Sequence, residues 1–147
     1  MSLKKVSIYT DGACSGNPGK GGWAALLECG ESRKIISGWN VYTTNNIMEL
    51  TAVKKALLAL KIACDVDLCT DSRYVQDGLI KWIDCWKKNG WKSANNKPIK
   101  NREIWEDLDE LKQKHTVRVH WVKAHNGNDK NELVDQIARG EILKIPK

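Results

Sequence analysis

Two short β-type runs in this chain end alike, and a helical pattern separates them. Lys5–Thr10 stops at Asp11-Gly12, and Val66–Thr70 stops at Asp71-Ser72. Between them, Thr43-Thr44-Asn45-Asn46 offers N-cap residues, and Leu50, Val53, Leu57 and Leu60 recur at helical spacing. A strand, a crossing helix and a second strand favour a parallel pair. As neighbours, the strands set their terminal carboxylates one strand spacing apart, ~5 Å. Open α/β sheets carry ligand and active sites at that carboxyl edge. The feature argues for an α/β fold with acid chemistry at one end of the sheet.

The other segments agree. The tract GACSGNPGKGG, residues 12–22, has five glycines and a proline and marks a turn region. Trp23–Glu28 and Arg33–Trp39 read as strands of an antiparallel hairpin closed by Cys29-Gly30-Glu31-Ser32. Arg73–Asn89 is a helical pattern with a break expected at Gly78, and Asn101–His115 is a second one. Thr116–Val122 alternates as a strand, and Glu132–Leu143 closes as a helix. The order predicts an α/β sheet of about five strands with helices on its faces. Repeats, low-complexity tracts and linkers are absent from the 147 residues, so residues 1–147 are expected to form one domain.

Composition excludes several classes. A hydrophobic fraction of 41% with 29% charged residues is ordinary for a globular chain and argues against wholesale disorder. No apolar run approaches the ~20 residues of a membrane span, and the start, MSLKKVSIYTDG, lacks the apolar core of a signal peptide. The expectation is a cytoplasmic protein with no membrane partner. Five cysteines without a C-x-x-C pair argue against a disulfide scaffold or zinc ribbon, and read as small buried thiols.

The charge is segregated. Lys81–Arg102 holds seven cations against one acid, Asp84, while the remainder balances at seventeen of each. The whole net charge of +6 therefore sits in 22 residues, an electrostatic footprint for a polyanion. The same stretch carries Trp82, Trp86 and Trp91. The i,i+4 spacing of Trp82 and Trp86 fits inward packing. A core does not account for the lysines.

Two anions at adjacent strand ends repel each other and resist ionisation. A divalent metal removes that penalty, and hard oxygen ligands suit Mg²⁺ or Mn²⁺ rather than zinc. Glu49, between Met48 and Leu50 in the first turn of the predicted helix, is a third candidate; it also fits an acid placed for the helix dipole. Asp135, between Val134 and Ile137, is a fourth, and alone it fits a solvated helix face. His125 follows a strand in the polar turn Ala124-His125-Asn126-Gly127-Asn128, and alone it fits an exposed loop residue. His115 and His120 receive no role.

Taken in order, the motifs Y-T-D-G-A-C-S-G-N-P-G, T-T-N-N-I-M-E-L, T-D-S-R-Y-V, W-K-K-N-G-W-K, W-V-K-A-H-N-G and N-E-L-V-D-Q-I-A closely resemble type 1 ribonuclease H of the bacterial kind. The resemblance covers roughly Lys4 to Glu141. It implies a ribonuclease H-like fold, a five-stranded mixed sheet with helices on both faces. It implies that Asp11, Glu49, Asp71 and Asp135 are catalytic carboxylates holding two Mg²⁺ ions, with Mn²⁺ as a substitute, and that His125 is the auxiliary catalytic histidine. It likens Lys81–Arg102 to the family's basic protrusion, so Trp82, Trp86, Lys87, Lys88, Trp91 and Lys92 become candidates for nucleic-acid contact. Asn17, Asn45 and Asn46 match positions that lie against nucleic acid in the family. Two residues depart from the pattern. Ala124 stands where many relatives have Gly. Arg73 stands where some have Gln, adding a cation beside Asp71 and a candidate phosphate contact.

The implied activity is metal-dependent endonucleolytic hydrolysis of the RNA strand of an RNA–DNA hybrid, by a monomer, leaving 3′-hydroxyl and 5′-phosphate ends. Two metals ~3.5–4 Å apart activate the water and stabilise the leaving oxygen in such chemistry. His125 would serve in proton transfer or product release. The 2′-hydroxyl distinguishes RNA, and backbone contacts carry no base code, so little sequence specificity is expected. Two other readings stay open on the residues alone: a resolvase- or transposase-like nuclease of the same fold, and a non-enzymatic hybrid-binding module. The second should have lost a carboxylate, and all four are present.

Overall fold

In a computed structural model, which describes residues 3–93, 95–123 and 129–146, the chain forms five strands and five α-helices. They are β1 (Lys4–Gly16), β2 (Gly19–Cys29), β3 (Ser32–Thr43), α1 (Asn45–Leu58), β4 (Cys64–Thr70), α2 (Arg73–Asp77), α3 (Ile83–Lys88), α4 (Arg102–Lys114), β5 (Thr116–Trp121) and α5 (Asp129–Leu143). One π-helical turn, Gly78–Trp82, joins α2 to α3. The strand order is β3-β2-β1-β4-β5. The first three strands are antiparallel, and β4 and β5 run parallel to β1. This is the expected mixed sheet.

Alternation decides the layers. Val6 and Ile8 of β1, Ala25 and Leu27 of β2, and Val66 and Leu68 of β4 pack with Leu50, Val53, Ala56 and Leu57 of α1 and with Trp105, Leu108 and Leu111 of α4. The opposite face of β2 carries Ala24 and Leu26 against Val134 and Ala138 of α5, with Tyr9 and Ala13 of β1 alongside. Helices thus cover both faces. Thr44 caps α1, its Oγ1 accepting from the Ile47 N–H at 3.2 Å. No helix among the described residues is long and apolar enough to cross a membrane.

Three sequence expectations need correcting. The glycine-rich tract is mostly strand, because β1 runs on to Gly16 and β2 begins at Gly19, leaving Asn17-Pro18 as the connection. Gly16, at a φ of 84°, still makes the turn, whereas Gly12 and Gly22 serve close packing. A Cβ on Gly12 would stand 2.5 Å from the Glu49 backbone nitrogen, and one on Gly22 would stand 2.1 Å from the Ala138 carbonyl oxygen. Only residues without side chains let α1 and α5 come so near the sheet. Gly78 likewise does not end the helix. The chain continues through the π-turn, and the missing Cβ makes room for the Trp105 ring, which would lie 2.0 Å from it. Finally, the cysteines are not uniformly buried, since Cys85 is exposed and Cys14, Cys29 and Cys69 are half-buried.

Candidate active site

The carboxyl ends of β1 and β4 meet as their shared endings predict. Tyr9 pairs with Cys69 in the parallel register, so Asp11 and Asp71, each two residues further on, leave the sheet side by side. Helix α1 adds Glu49. Each of Asp11, Glu49 and Asp71 offers a carboxylate oxygen, and these oxygens lie within 4.8 Å of one another. Asp135 of α5 approaches closely enough to push the Asp11 carboxyl up, beside the cluster formed by Asp11, Glu49 and Asp71. Glycines set this convergence: Gly12 admits α1 next to Asp11, and Gly22 admits α5 one turn beyond Asp135.

Glu49 is the fifth residue of α1, beyond its first turn, and is 4% exposed. A helix-dipole acid would sit nearer the end and in water, so that reading is set aside. Asp135 is half-buried rather than fully solvated, and Arg139 one turn on donates to its Oδ2 at 2.7 Å. His125 and Ala124 lie outside the described residues.

The group is electrostatically costly without a cation. Burial and then the neighbouring Asp71 charge push Asp11 up to about 8 from 3.8. Burial, followed by the Asp11 charge, holds Glu49 well above the usual carboxylate range. The Glu49 Oε2 is buried with no hydrogen-bond partner among the described residues. All-oxygen donors, mutual repulsion and an orphaned buried acceptor together fit a hard divalent cation. Folded Asp11 keeps its proton to higher pH than it would in the unfolded chain. Its contribution to stability is therefore complete below pH ~4 and is lost as pH rises through about 8. Metal-free protein should lose up to ~1.4 kcal/mol of stability per pH unit, per extra proton held by the fold, across that window. Saturating divalent metal should flatten the slope. Urea unfolding from pH 5 to 8, with EDTA or with metal, measures both.

Around the acids, Asn17 Oδ1 accepts from the Asn45 N–H at 3.0 Å, which ties the β1–β2 connection to the start of α1. Asn46 is exposed beside it. Arg73 opens α2 and lies over the Trp121 ring, 3.8 Å from its centroid. The two histidines among the described residues, His115 and His120, make contacts within the fold. His115 Nδ1 accepts from the Cys64 N–H at 3.0 Å, and His120 Nε2 lies 2.8 Å from Asp67 Oδ1.

The basic stretch begins in the π-turn and runs over α3 into the following loop. Trp82, Trp86 and Trp91 are half-buried and pack on the main core. Trp86 contacts Trp82, Trp91 and Trp105 at centroid distances of 5.8, 6.3 and 5.6 Å. These rings anchor the segment, in line with their inward spacing, while Lys88 and Lys92 project as exposed cations. Lys87 is partly spent within the fold, its Nζ 3.4 Å from Asp109. Lys88→Ala should therefore flatten log K for nucleic acid against log salt by about one unit, and Lys87→Ala by less. Fluorescence titrations at several salt concentrations check this, and equal slopes for both variants and wild type would show that neither lysine meets phosphate.

The sequence model of the RNase H family matches residues 3–142. The chain belongs to the ribonuclease H family. It is 57% identical over 137 residues to the ribonuclease H of Agrobacterium fabrum, covering 93% of this chain and 94% of that one. The crystal structure of LC9-RNase H1, a type 1 RNase H with the type 2 active-site motif, superposes with a TM-score of 0.88 at 28% identity, covering 98% of this chain and 74% of that one. LC11-RNase H1, solved in complex with an RNA/DNA hybrid, shares the fold with a TM-score of 0.71 at 21% identity, over 95% of this chain and 97% of that one. As a member of the ribonuclease H family, the chain has its acids where the fold brings two parallel strand ends and two helices together.

Proposed function

We propose that this ribonuclease H is a metal-dependent endonuclease that hydrolyses the RNA strand of RNA–DNA hybrids. The buried convergence of Asp11, Glu49 and Asp71, in a chain of this family, carries the reading. Asp11, Glu49, Asp71 and Asp135 are the groups that would hold two Mg²⁺ ions, with Mn²⁺ as a substitute. When bound, such ions lower the pKa of an attacking water and neutralise charge on phosphate and leaving oxygens. The protein's own task is to fix these acids in one geometry. Asp11 does so from the sheet, Glu49 and Asp135 from helices docked on it. His125 moves a proton or helps product leave. Asn17, Asn45 and Asn46 face the hybrid beside the acids. The Lys81–Arg102 protrusion grips the DNA strand through Lys88 and Lys92, with Lys87 and the three tryptophans shaping its surface. The products carry 3′-hydroxyl and 5′-phosphate ends. We take residues 1–147 as one catalytic domain, acting as a monomer in the cytoplasm, where its free thiols stay reduced.

A labelled RNA–DNA hybrid incubated beside all-RNA and all-DNA duplexes tests the proposal. Cleavage of the RNA strand of the hybrid alone, and only with Mg²⁺ or Mn²⁺, is the expected result. Equal cutting of a DNA duplex would favour a nuclease of the resolvase kind, and binding without cutting would favour the non-enzymatic module.

A further inference from the structure

We infer that Trp121 is a positioning residue that serves two parts of the site at once: its indole N–H pins the backbone at Asp71, and its ring presets Arg73 as an anion-binding fork for a phosphate of the RNA strand. The inference rests on the reading of Asp71 as a metal-binding carboxylate of a hybrid-cleaving enzyme.

Three contacts carry it. Trp121 Nε1 donates to the Asp71 carbonyl oxygen at 3.1 Å. The Arg73 guanidinium carbon lies 3.8 Å from the centroid of the same ring. The chain is fixed at this point, because β5 pairs with β4 to its last residue, Trp121 opposite Thr70, and the Val122 N–H donates to the Thr70 carbonyl at 2.9 Å. The half-buried indole therefore stands on rigid backbone, with one edge on the loop that carries Asp71 and one face under Arg73.

The behaviour of Arg73 is informative. Arg73 is exposed at the start of α2, two residues beyond Asp71, with its guanidinium on the Trp121 ring. Stacking uses the flat face of a guanidinium and leaves the N–H groups in its plane available. A planar cation seated 3.8 Å over the ring, next to a cluster of acids that needs cations, is prepared for an anion that arrives with its own metal. A phosphate of the bound strand has that chemistry. A shorter or flexible cation would not stay on the ring, and glutamine would not bring the charge.

The variants Arg73→Gln, Trp121→Leu and Trp121→Phe separate the two roles. Hybrid binding is measured in EDTA at several salt concentrations, and cleavage is measured against Mg²⁺ concentration. Arg73→Gln should weaken binding severalfold and flatten the salt slope by about one unit, while leaving the Mg²⁺ dependence of cleavage unchanged. Trp121→Leu should show the same loss of binding, and adding Arg73→Gln to it should cost nothing more. Trp121→Phe keeps a ring but loses the N–H. It should restore binding and the salt slope, yet raise the Mg²⁺ needed for half-maximal cleavage severalfold. An upfield ring-current shift of the Arg73 Nε–H proton in wild type, absent in Trp121→Leu, should accompany these results.

Unchanged binding by Arg73→Gln overturns the phosphate role. An undiminished Arg73→Gln effect in the Trp121→Leu background overturns the positioning of Arg73, and an unchanged Mg²⁺ dependence in Trp121→Phe overturns the pinning of Asp71. Should Trp121→Leu not fold, Arg73→Gln and Trp121→Phe decide the matter between them. A wild-type chain that neither binds nor cuts the hybrid overturns the functional reading itself, whereas a wild type that cuts, with Arg73→Gln unaltered, overturns this inference alone.

Discussion

Asp71→Asn should reduce hybrid cleavage by ~10³-fold or more while leaving a folded protein that still binds hybrid. Removing an electrostatic element of this size from a metal-assisted phosphodiester reaction costs at least as much as losing an oxyanion donor. The fold should not suffer. Asp71 is half-buried at a strand end, its carbonyl rather than its carboxylate is held by Trp121, and Ser72 next to it caps α2 through an Oγ that accepts from Val75 N–H at 3.1 Å. Metal-free Asp71→Asn should instead melt higher than wild type by ~2–4 °C, corresponding to about 1 kcal/mol, because Asp71 is the leading charge acting on Asp11. The rise in melting temperature on adding Mg²⁺ should shrink in the variant. Calorimetry with EDTA and with Mg²⁺, beside steady-state kinetics, reads all three effects. Full Mg²⁺-dependent activity in Asp71→Asn would remove Asp71 from the metal site.

Gly12→Ala should damage activity out of proportion to the single methyl it adds. The new Cβ would lie 2.5 Å from Glu49 N and 2.6 Å from the Met48 carbonyl carbon, which are backbone atoms that no rotamer change can move. Helix α1 must then retreat from β1 by roughly an ångström to reach an ordinary contact, at a packing cost of ~1–3 kcal/mol. The retreat carries Glu49 away from Asp11. Displacement on that scale at a catalytic constellation can cost ~10²-fold in rate. The expected variant is folded and less stable, has weaker metal affinity, and turns over ~10² more slowly. Gly140→Ala is the control. It lies in α5 with nothing within 4 Å of an added Cβ, so it should be neutral or stabilising by ~1 kcal/mol. Wild-type turnover in Gly12→Ala would show that α1 can shift without moving Glu49.

Much of the architecture was legible locally. Strand and helix periodicity, the Thr44 cap and the Asp endings of β1 and β4 are short-range signals, and they place two of the acids at one sheet edge. The confinement of the net charge to Lys81–Arg102 needs no structure at all. The turn reading of the tract 12–22 holds at Gly16 but not at Gly12 and Gly22, because a residue without a Cβ looks the same under a helix as in a turn. Only the partner across the gap, Met48 and Glu49 for Gly12 or Ala138 for Gly22, distinguishes them. The same holds at Gly78, where Trp105 occupies the space.

The sequence by itself determined which groups exist and how far apart they stand along the chain: four acids, a cationic segment, and alternating and helical stripes that select an α/β sheet. Tertiary structure decided what each of them is for. Glu49 and Asp135 look like ordinary helix acids until docking buries the first and swings the second to Asp11. Trp121 looks like a strand-end aromatic until the β4–β5 pairing sets its N–H on Asp71 and its ring under Arg73. Burial, repulsion and stacking are properties of pairs brought close in space, and no single position along the chain carries them.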